Sequence, residues 1–312
     1  MENKLVVIKN IILNIEKVIV GKRQAIELCL MTFLCKGHIL IEDVPGVGKT
    51  SLASALAKSL NCSFKRIQFT PDIMPSDITG FSVYNPKTGK MEYNTGAILH
   101  QVILADEINR TSPKTQSSLL EAMEERQVTV DGHTYQIDEP FIVIATQNPI
   151  EYLGTYPLPE AQMDRFFMRI SLGYPARADE MKMISRFKGE SPWADIKMVA
   201  SGEDILEIQK LVTEVYVSTQ INEYIVNLVR STREHELVAL GASPRASIHL
   251  CKASQAWAFY CGRTFVLPDD VIKMIHHVLE HRIIIKQEGK MKKITAYDVI
   301  EDILQKTAVP VV

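Results

Sequence analysis

A glycine-rich segment early in the chain has the residue types of a phosphate-binding loop. It reads Pro45-Gly46-Val47-Gly48-Lys49-Thr50-Ser51, and it lies between an apolar run, residues 38–44 (HILIEDV), and a helical pattern, residues 51–60. Its glycines would let backbone amides approach phosphates, and the helix N-terminus would add partial positive charge. Lys49 would reach the β- and γ-phosphates, and the Thr50 hydroxyl would ligate Mg²⁺. The order of strand, loop and helix therefore predicts a nucleotide site.

The loop departs from the full phosphate-loop pattern at one position, where Asp43 replaces the first glycine. We interpret this departure as tolerated, because that glycine opens the loop whereas Gly46, Gly48, Lys49 and Thr50 make the closer approach to phosphate. A chance Gly-Lys-Thr would lack the flanking strand and helix that this sequence indicates.

Two carboxylates follow a second apolar run. Asp106 and Glu107 come directly after residues 102–105 (VILA), so they would lie at the carboxyl end of a buried strand, where open α/β sheets bind ligands. Asp106 would hold Mg²⁺, and Glu107 would orient and polarise the attacking water, because phosphoryl transfer requires positioning and charge neutralisation. A carboxylate pair alone is as typical of a solvated loop as of a catalytic site. Together with the phosphate loop, it predicts nucleotide hydrolysis.

The elements that would position these residues alternate through the first part of the chain. Apolar runs at residues 38–44, 102–105 and 141–146 are separated by helical segments, which predicts an α/β fold with a parallel sheet covered by helices. Because the runs are continuous, both faces of the sheet should be buried. Ser112 and Pro113 mark the start of one of the helices.

Two segments interrupt this alternation with the turn residues of β-hairpins. Residues 81–93 (FSVYNPKTGKMEY) contain Asn-Pro and Thr-Gly, and residues 127–137 (QVTVDGHTYQI) alternate around Asp131-Gly132. Further along, helical periodicity dominates, in the segments 204–217, 220–236, 245–261, 269–283 and 296–306. We therefore predict a core domain over residues 1–175 and an all-helical domain over residues 176–312.

The composition is that of a globular protein, with 312 residues and a net charge of −2. The sequence has no run of eighteen apolar residues and no signal peptide, so we expect no membrane insertion. Five scattered cysteines, none in a C-x-x-C pair, are typical of reduced core thiols in a cytoplasmic protein. The one basic cluster, residues 286–293 (KQEGKMKK), is interpreted as a solvated loop, so nucleic acid is not an expected partner.

Four segments together resemble the MoxR family of AAA+ ATPases, namely residues 41–50 (IEDVPGVGKT), 105–110 (ADEINR), 145–149 (ATQNP) and 158–166 (LPEAQMDRF). The resemblance extends over nearly the whole chain. It implies a three-layer αβα P-loop NTPase core with inserted β-hairpins and a helical lid, ATP and Mg²⁺ as cofactors, and a homo-oligomeric ring of six subunits. In such rings, inserted loops commonly face the pore or the client.

The resemblance also assigns roles to single residues. Asn148 resembles sensor 1, whose amide helps Glu107 to hold the attacking water. Arg165 resembles the arginine finger that reaches a neighbour's γ-phosphate, a group worth about a thousandfold or more in phosphoryl transfer. Arg169 is a second candidate for that finger. Arg245 resembles sensor 2, and the sequence leaves open whether it acts on its own subunit's nucleotide or on a neighbour's.

Two further groups of residues have weaker signals. Gly21, preceded by Ile19 and Val20, resembles the segment that lines the adenine, although apolar packing explains Ile19 and Val20 about as well. His277 and His281 have the spacing of a metal pair on a helix, but no third ligand accompanies them. A surface helix without zinc is the favoured interpretation of the two histidines.

The function that we expect is Mg²⁺-dependent ATP hydrolysis coupled to chaperone-like remodelling, maturation or metal-cofactor activation of client proteins. The resemblance implies a partner with a von Willebrand factor A (VWA) domain. One alternative is a nucleic-acid-associated AAA+ motor or transcriptional regulator, against which stands the lack of a basic stripe or an appended helix-turn-helix. Another is a scaffold that scarcely hydrolyses ATP, against which stand Glu107, Asn148 and Arg165. No residue distinguishes a magnesium-chelatase-type subunit from the main interpretation.

Overall fold

The computed structural model describes residues 2–149, 154–187 and 191–310. In chain order the strands are β1 (Ile39–Glu42), β2 (Phe64–Gln68), β3 (Gly80–Asn85), β4 (Lys90–Thr95), β5 (Val102–Asp106), β6 (Gln127–Val130), β7 (His133–Gln136), β8 (Ile142–Gln147), β9 (Met168–Ile170), β10 (Val238–Leu240) and β11 (Ile284–Ile285). The α-helices are α1 (Glu2–Glu16), α2 (Arg23–Leu34), α3 (Lys49–Ser59), α4 (Pro75–Thr79), α5 (Pro113–Glu125), α6 (Glu160–Met163), α7 (Arg177–Phe187), α8 (Gly202–Thr213), α9 (Thr219–Glu234), α10 (Pro244–Tyr260), α11 (Pro268–Leu279), α12 (Gln287–Met291) and α13 (Ala296–Lys306). Short 3-10 turns span Ile108–Arg110, Pro192–Ala194 and Glu280–Arg282.

A five-stranded sheet lies at the centre of the first half of the chain, with the strands in the order β2-β5-β8-β1-β9. All neighbouring strands in it are parallel. This confirms the parallel α/β sheet predicted from the sequence. Because the carboxyl ends of parallel strands meet at one edge, the segments that follow β5, β8 and β1 lie side by side, with the segment after β8 in the middle.

Both faces of this sheet are buried along β1, β5 and β8, as expected from the continuous apolar runs, whereas the edge strand β2 exposes Lys65 and Arg66. Alternate residues of a strand point to opposite sides. Ile39 and Ile41 belong to the apolar cluster that includes helices α1, α2 and α3, whereas Leu40 belongs to the cluster that includes α5. The same alternation separates Leu104 of β5 from its neighbour Ile103. The result is a helix–sheet–helix core of three layers.

Helix α5 begins where the sequence predicts. The Ser112 Oγ accepts a hydrogen bond from the Thr115 amide at 3.4 Å, and Pro113 occupies the first helical position. The helix ends at Glu125, and the next residue, Arg126, has a left-handed φ of 54° that turns the chain into β6. In the last turn of α5, Ala122 and Met123 are buried, whereas Glu124 and Glu125 are exposed.

The two expected hairpins are present. Strands β3 and β4 pair antiparallel, as do β6 and β7. The ring of Tyr93 in the first hairpin stacks on Tyr135 in the second, with centroids 3.9 Å apart and planes 16° from parallel. Because stacked rings of this geometry attract each other, the two hairpins form one continuous surface feature.

The second half is helical, with one addition to the all-helical domain that we expected. The short strands β10 and β11 pair antiparallel, with Val238 opposite Ile285. Residues 286–293, expected as a solvated loop, instead contain helix α12, in which Gly289 is buried. Cys261, expected in the core, is exposed at the end of α10.

Helix α10 connects the second half to the first. It packs on α8, α9 and α11, and also on α1 and α2 of the first half. The apolar cluster on that side of the sheet consequently continues into the second half without a break. No helix in the described ranges is both long and apolar enough to cross a membrane.

Candidate active site

The phosphate loop follows the carboxyl end of β1 and leads directly into α3. Gly46 and Gly48 have φ values of 85° and 96°, in the left-handed region that favours glycine. A side chain at Gly46 would meet no atom within 4 Å, so the backbone conformation, and not space, requires glycine there. Lys49, at the first helical position, donates from Nζ to the backbone oxygens of Asp43 at 2.8 Å and Val44 at 3.4 Å. The loop therefore curls around the ammonium group of Lys49.

Asp43 has a structural role that the sequence did not reveal. Its buried Oδ2 accepts hydrogen bonds from the amides of Leu172 and Gly173, both at 2.6 Å, and from the Ser171 hydroxyl at 3.0 Å. Its Oδ1 accepts from the Val44 amide at 3.0 Å. Asp43 thus anchors the start of the phosphate loop to the segment after β9, which a glycine could not do.

Asp106 ends β5 with its carboxylate held on both oxygens. Oδ1 accepts from the Thr146 hydroxyl at 2.7 Å, and Oδ2 accepts from Nε and Nη2 of Arg66 at 3.1 and 2.7 Å. Thr146 and Arg66 come from the neighbouring strands β8 and β2. Neither residue has a signal in the sequence, because only the sheet order places the two beside Asp106.

Glu107 adopts a left-handed conformation, with φ of 59°, directly after the strand. Its amide donates to the Thr146 hydroxyl at 2.8 Å. Its Oε2 accepts from Gln68 Nε2 at 2.8 Å and from Arg110 Nη1 at 3.0 Å. A carboxylate fixed by two donors at the open edge of the sheet can orient a water molecule and polarise it.

Asn148 lies one residue after β8 and is 6% exposed. Because β8 lies between β5 and β1, Asn148 is placed between the carboxylates after β5 and the phosphate loop after β1. Thr50, on the first turn of α3, is at the same edge of the sheet. Thr50 and Asp106 offer a hydroxyl and a carboxylate, the hard oxygen ligands that suit Mg²⁺ when phosphates complete the set.

A cavity of about 400 Å³ lies beside the phosphate loop. It is lined by Val20 and by residues of the loop itself, and the full lining is Val18, Ile19, Val20, Lys22, Gly46, Val47, Gly48, Ser51, Tyr174, Pro175, Glu180 and Met183. Its apolar wall is of the kind that accepts a nucleobase. Gly21 instead lines an adjoining cavity of about 480 Å³. There a side chain at Gly21 would collide with the carboxylate of Asp179.

Arg165 and Arg245 lie away from this loop, on a third cavity of about 220 Å³. This cavity is lined by Gly37 and His38, which precede β1, whereas the phosphate loop follows the same strand. Four residues of parallel strand span about 13 Å. The two arginines therefore lie near the opposite edge of the sheet from the phosphate loop of their own chain.

Arg169, the second finger candidate, is committed elsewhere. Its Nη1 lies 2.8 Å from Oε2 of Glu42, and its Nη2 lies 3.2 Å from Oε2 of Glu280. Glu42 ends the strand that leads to the phosphate loop, and Glu280 follows α11. Arg169 thus links its own core strand to its own lid.

The two histidines with metal-pair spacing have different surroundings. His277 is on α11, whereas His281 lies in the following 3-10 turn. His281 is buried, not on a surface helix as expected, and its Nε2 lies 3.2 Å from the Phe166 oxygen. Burial and the nearby Arg282 hold the pKa of His281 well below its usual value. Among the residues that the structure describes, no group of three His, Cys, Asp or Glu side chains is gathered to hold a metal ion.

Comparison with known proteins places this geometry among ATPases. Residues 38–168 match the family described as "ATPase family associated with various cellular activities (AAA)", and residues 230–303 match the AAA lid domain. The chain is 51% identical over 298 residues to the uncharacterized protein YeaC of Bacillus subtilis, covering 96% of this chain and 93% of that protein. It is 41% identical over 310 residues to Chaperone MoxR1 of Mycobacterium tuberculosis, covering 96% and 81%.

Two further relatives agree with this placement. The chain is 30% identical over 291 residues to Protein MoxR of Paracoccus denitrificans, covering 85% of each chain. A solved structure of a proposed ATPase from Cytophaga hutchinsonii is 40% identical and superposes with a TM-score of 0.93, covering 99% of this chain and 96% of that one. The similarity therefore includes both the core and the helical lid.

Proposed function

The chain belongs to the MoxR family of AAA+ ATPases, and we propose that it works as a ring whose subunits complete one another's active sites. The observation that carries this proposal is the separation of the arginines from the phosphate loop. Arg165 and Arg245 lie together near the edge of the sheet opposite to their own Lys49. A neighbour docked against that edge would receive both arginines at its own nucleotide. On this proposal Arg245 acts in trans, as Arg165 does.

The site at the carboxyl edge would bind ATP with Mg²⁺. The ion would neutralise phosphate charge and would be held by Thr50 and Asp106. Lys49 and the loop amides would bind the phosphates, and Val20 would pack on the adenine. Glu107, with Asn148 beside it, would orient the attacking water.

The test is the ATPase rate per subunit measured against protein concentration, for the unaltered chain and for an equal mixture of the Arg165→Ala and Glu107→Gln variants. Each variant alone should be nearly inactive. The mixture should recover part of the rate, because one variant offers an intact arginine and the other an intact carboxylate. A rate per subunit that stays constant down to dilutions at which sedimentation shows monomers would overturn the shared site.

We further propose that hydrolysis drives chaperone-like remodelling or maturation of client proteins in the cytoplasm, with a VWA-domain partner and a hexameric ring. The relative named Chaperone MoxR1 supports the chaperone role. The first hairpin adds support, since Phe81, Tyr84 and Met91 are exposed apolar side chains on it. Addition of DNA should leave the ATPase rate unchanged, whereas stimulation by DNA would favour a nucleic-acid motor.

The VWA-domain partner can be tested through the same hairpin. The double variant Tyr84→Ser, Met91→Ser should hydrolyse ATP at the basal rate and lose any stimulation by a co-expressed VWA-domain protein from the same operon or genome. Lys87→Ser, at the tip of the same hairpin, is the control. Equal stimulation of all three chains would exclude the hairpin as the contact surface.

A further inference from the structure

Three charged side chains converge near the edge of the sheet opposite to the phosphate loop, where Arg165 and Arg245 lie. Glu124, in the last turn of α5, lies between Arg165 and Arg245. Its Oε2 is 3.0 Å from Nη1 of Arg165, and its Oε1 is 2.5 Å from Nη2 of Arg245. One carboxylate therefore binds two guanidinium groups, one on each oxygen.

The Glu124 carboxylate reduces the repulsion between the two guanidinium groups. Two guanidinium groups so close to one carboxylate are also close to each other, and like charges repel. A single negative charge between them offsets that repulsion and leaves the cluster with a net positive charge for phosphate. Without it, the Arg245 guanidinium would have no hydrogen-bond partner in the described part of the chain, and the Arg165 guanidinium would keep only its bond to the Leu120 oxygen.

Glu124 also leaves most donors of both arginines available. Arg165 uses Nη1 for Glu124 and for the Leu120 oxygen at 3.1 Å, and Arg245 uses only Nη2. The other guanidinium nitrogens of the pair make no hydrogen bond within the described part of the chain. They border the cavity of about 220 Å³ that Arg165, Arg245 and Glu124 all line.

The three residues come from different parts of the fold. Glu124 and Arg165 belong to the core, whereas Arg245 is in the first turn of the lid helix α10. The start of α10 is held independently, because the Ser243 hydroxyl donates to Oδ2 of Asp164 at 2.8 Å. The lid therefore has a separate attachment beside Glu124, and loss of the Glu124 side chain should not release it.

We propose that Glu124 is a positioning residue that orients Arg165 and Arg245 as one unit toward the nucleotide of the adjacent subunit. This inference rests on the shared active site proposed above. Because the carboxylate joins a core arginine to a lid arginine, a movement of the lid would disrupt both contributions together. The γ-phosphate of the neighbour would then be contacted by both arginines or by neither.

The test uses variants of the full chain in mixed rings. Glu124→Ala alone should lower kcat by about 10- to 100-fold, the size expected for a misplaced catalytic group, with KM for ATP changed by less than about twofold. Mixed with Glu107→Gln it should recover activity, because the second variant supplies an intact arginine pair. Mixed with Arg165→Ala it should not recover, because neither variant supplies one.

Each other outcome has a definite meaning. Glu125→Ala, the matched control on the next residue of α5, should keep full activity. Recovery with Arg165→Ala but not with Glu107→Gln would overturn the inference, since Glu124 would then act in its own subunit. Failure to recover with either partner, with a lowered melting temperature, would show a merely structural role and would also overturn it. If Arg165→Ala and Glu107→Gln do not rescue each other, the shared site itself fails, and the inference about Glu124 fails with it.

Discussion

The buried guanidinium of Arg282 donates from Nε to Oδ1 of Asp164 at 2.8 Å, and this ion pair joins the lid to the residue that precedes Arg165. The Arg282 side chain is 1% exposed, and it also donates to the backbone oxygens of Asp164 and Phe166. Burial lowers the pKa of Arg282 to about 10, so the group stays charged near neutral pH. This ion pair therefore couples the position of the lid to that of the segment that bears Arg165.

Removal of the Asp164 carboxylate should strongly destabilise the protein. Asp164→Ala would leave the Arg282 charge buried without its partner, which costs about 3 kcal/mol of unfolding free energy. Urea unfolding of the variant measures this loss. The control is Glu234→Ala, which breaks an exposed pair with Arg230 and should cost less than about 1 kcal/mol. Similar losses of unfolding free energy for the two variants would show that the buried Asp164–Arg282 pair stabilises the protein no more than an exposed pair does.

The elements of the site that have a local signal could be predicted from the sequence. Each of these signals is carried by residues that are close together in the sequence. They are the phosphate loop, the pair Asp106 and Glu107 after β5, and the start of α5 at Ser112. The contacts of Glu124 depend instead on packing between distant segments, since its partner Arg245 lies 121 residues away. No periodicity or motif in a single sequence contains that information.

Other features escaped prediction for different physical reasons. Strands β10 and β11 have three and two residues, too few for an alternating pattern to be recognised. In the sequence Asp43 only replaces a glycine of the phosphate-loop pattern, because its hydrogen-bond partners at Leu172 and Gly173 become neighbours only when β9 pairs with β1.

Asp43 should be essential to the shape of the phosphate loop. Asp43→Ala removes an acceptor and leaves the buried amide of Leu172 and the partly buried amide of Gly173 unsatisfied, at a cost of about 2 to 4 kcal/mol. We expect a lower melting temperature and weaker binding of a fluorescent ATP analogue. Ser171→Ala, which removes one of the four hydrogen bonds to the Asp43 carboxylate, should have a much smaller effect on both. Wild-type nucleotide affinity in Asp43→Ala would contradict this anchoring role.

Arg169 should act within its own subunit. Arg169→Ala removes the ion pairs with Glu42, at the end of β1, and with Glu280 in the lid. Because β1 leads into the phosphate loop, ATP binding should weaken. In mixed rings this variant should be rescued by Arg165→Ala, whose own site is intact, and not by Glu107→Gln. The opposite pattern of rescue would make Arg169 the finger in place of Arg165.

His38 should make stability fall in mild acid. Its Nδ1 accepts from the Val143 amide at 2.9 Å, and its Nε2 lies 3.0 Å from the Met123 oxygen, so the ring is neutral with both nitrogens satisfied. Burial, with a smaller contribution from Arg126, lowers the pKa of His38 to about 4. The unfolded chain, with a pKa of about 6.5, binds a proton first as the pH falls, so the stabilisation is present above about 6.5 and is lost below it.

The expected size of this effect is about 1 kcal/mol between pH 7.5 and 5.5. His38→Gln offers a similar donor and acceptor without titrating. Between pH 7.5 and 5.5, the unfolding free energy of this variant should therefore fall by about 1 kcal/mol less than that of the unaltered chain. His249, whose pKa burial lowers to about 2, should still add its own loss in both chains. His276 works in the opposite direction, because Glu280 and Glu301 outweigh its burial and raise its pKa. Parallel pH profiles for His38→Gln and the unaltered chain would contradict the prediction.

Gln68 should influence the chemical step through Glu107. Its Nε2 donates to Oε2 of Glu107 at 2.8 Å, and Arg110 donates to the same oxygen, so the two donors together set the direction of the carboxylate. Gln68→Ala removes one donor, and we expect kcat to fall by about tenfold with KM for ATP nearly unchanged, because the phosphate loop is untouched.

A second variant separates orientation from loss of packing. Gln68→Glu has nearly the same shape but places a negative charge against Glu107, so it should lower kcat further than Gln68→Ala does. Lys65→Ala, on the same strand but exposed, is the control for general effects on β2. A rise in KM for ATP without a change in kcat would show that Gln68 acts on nucleotide binding and not on the water-orienting carboxylate.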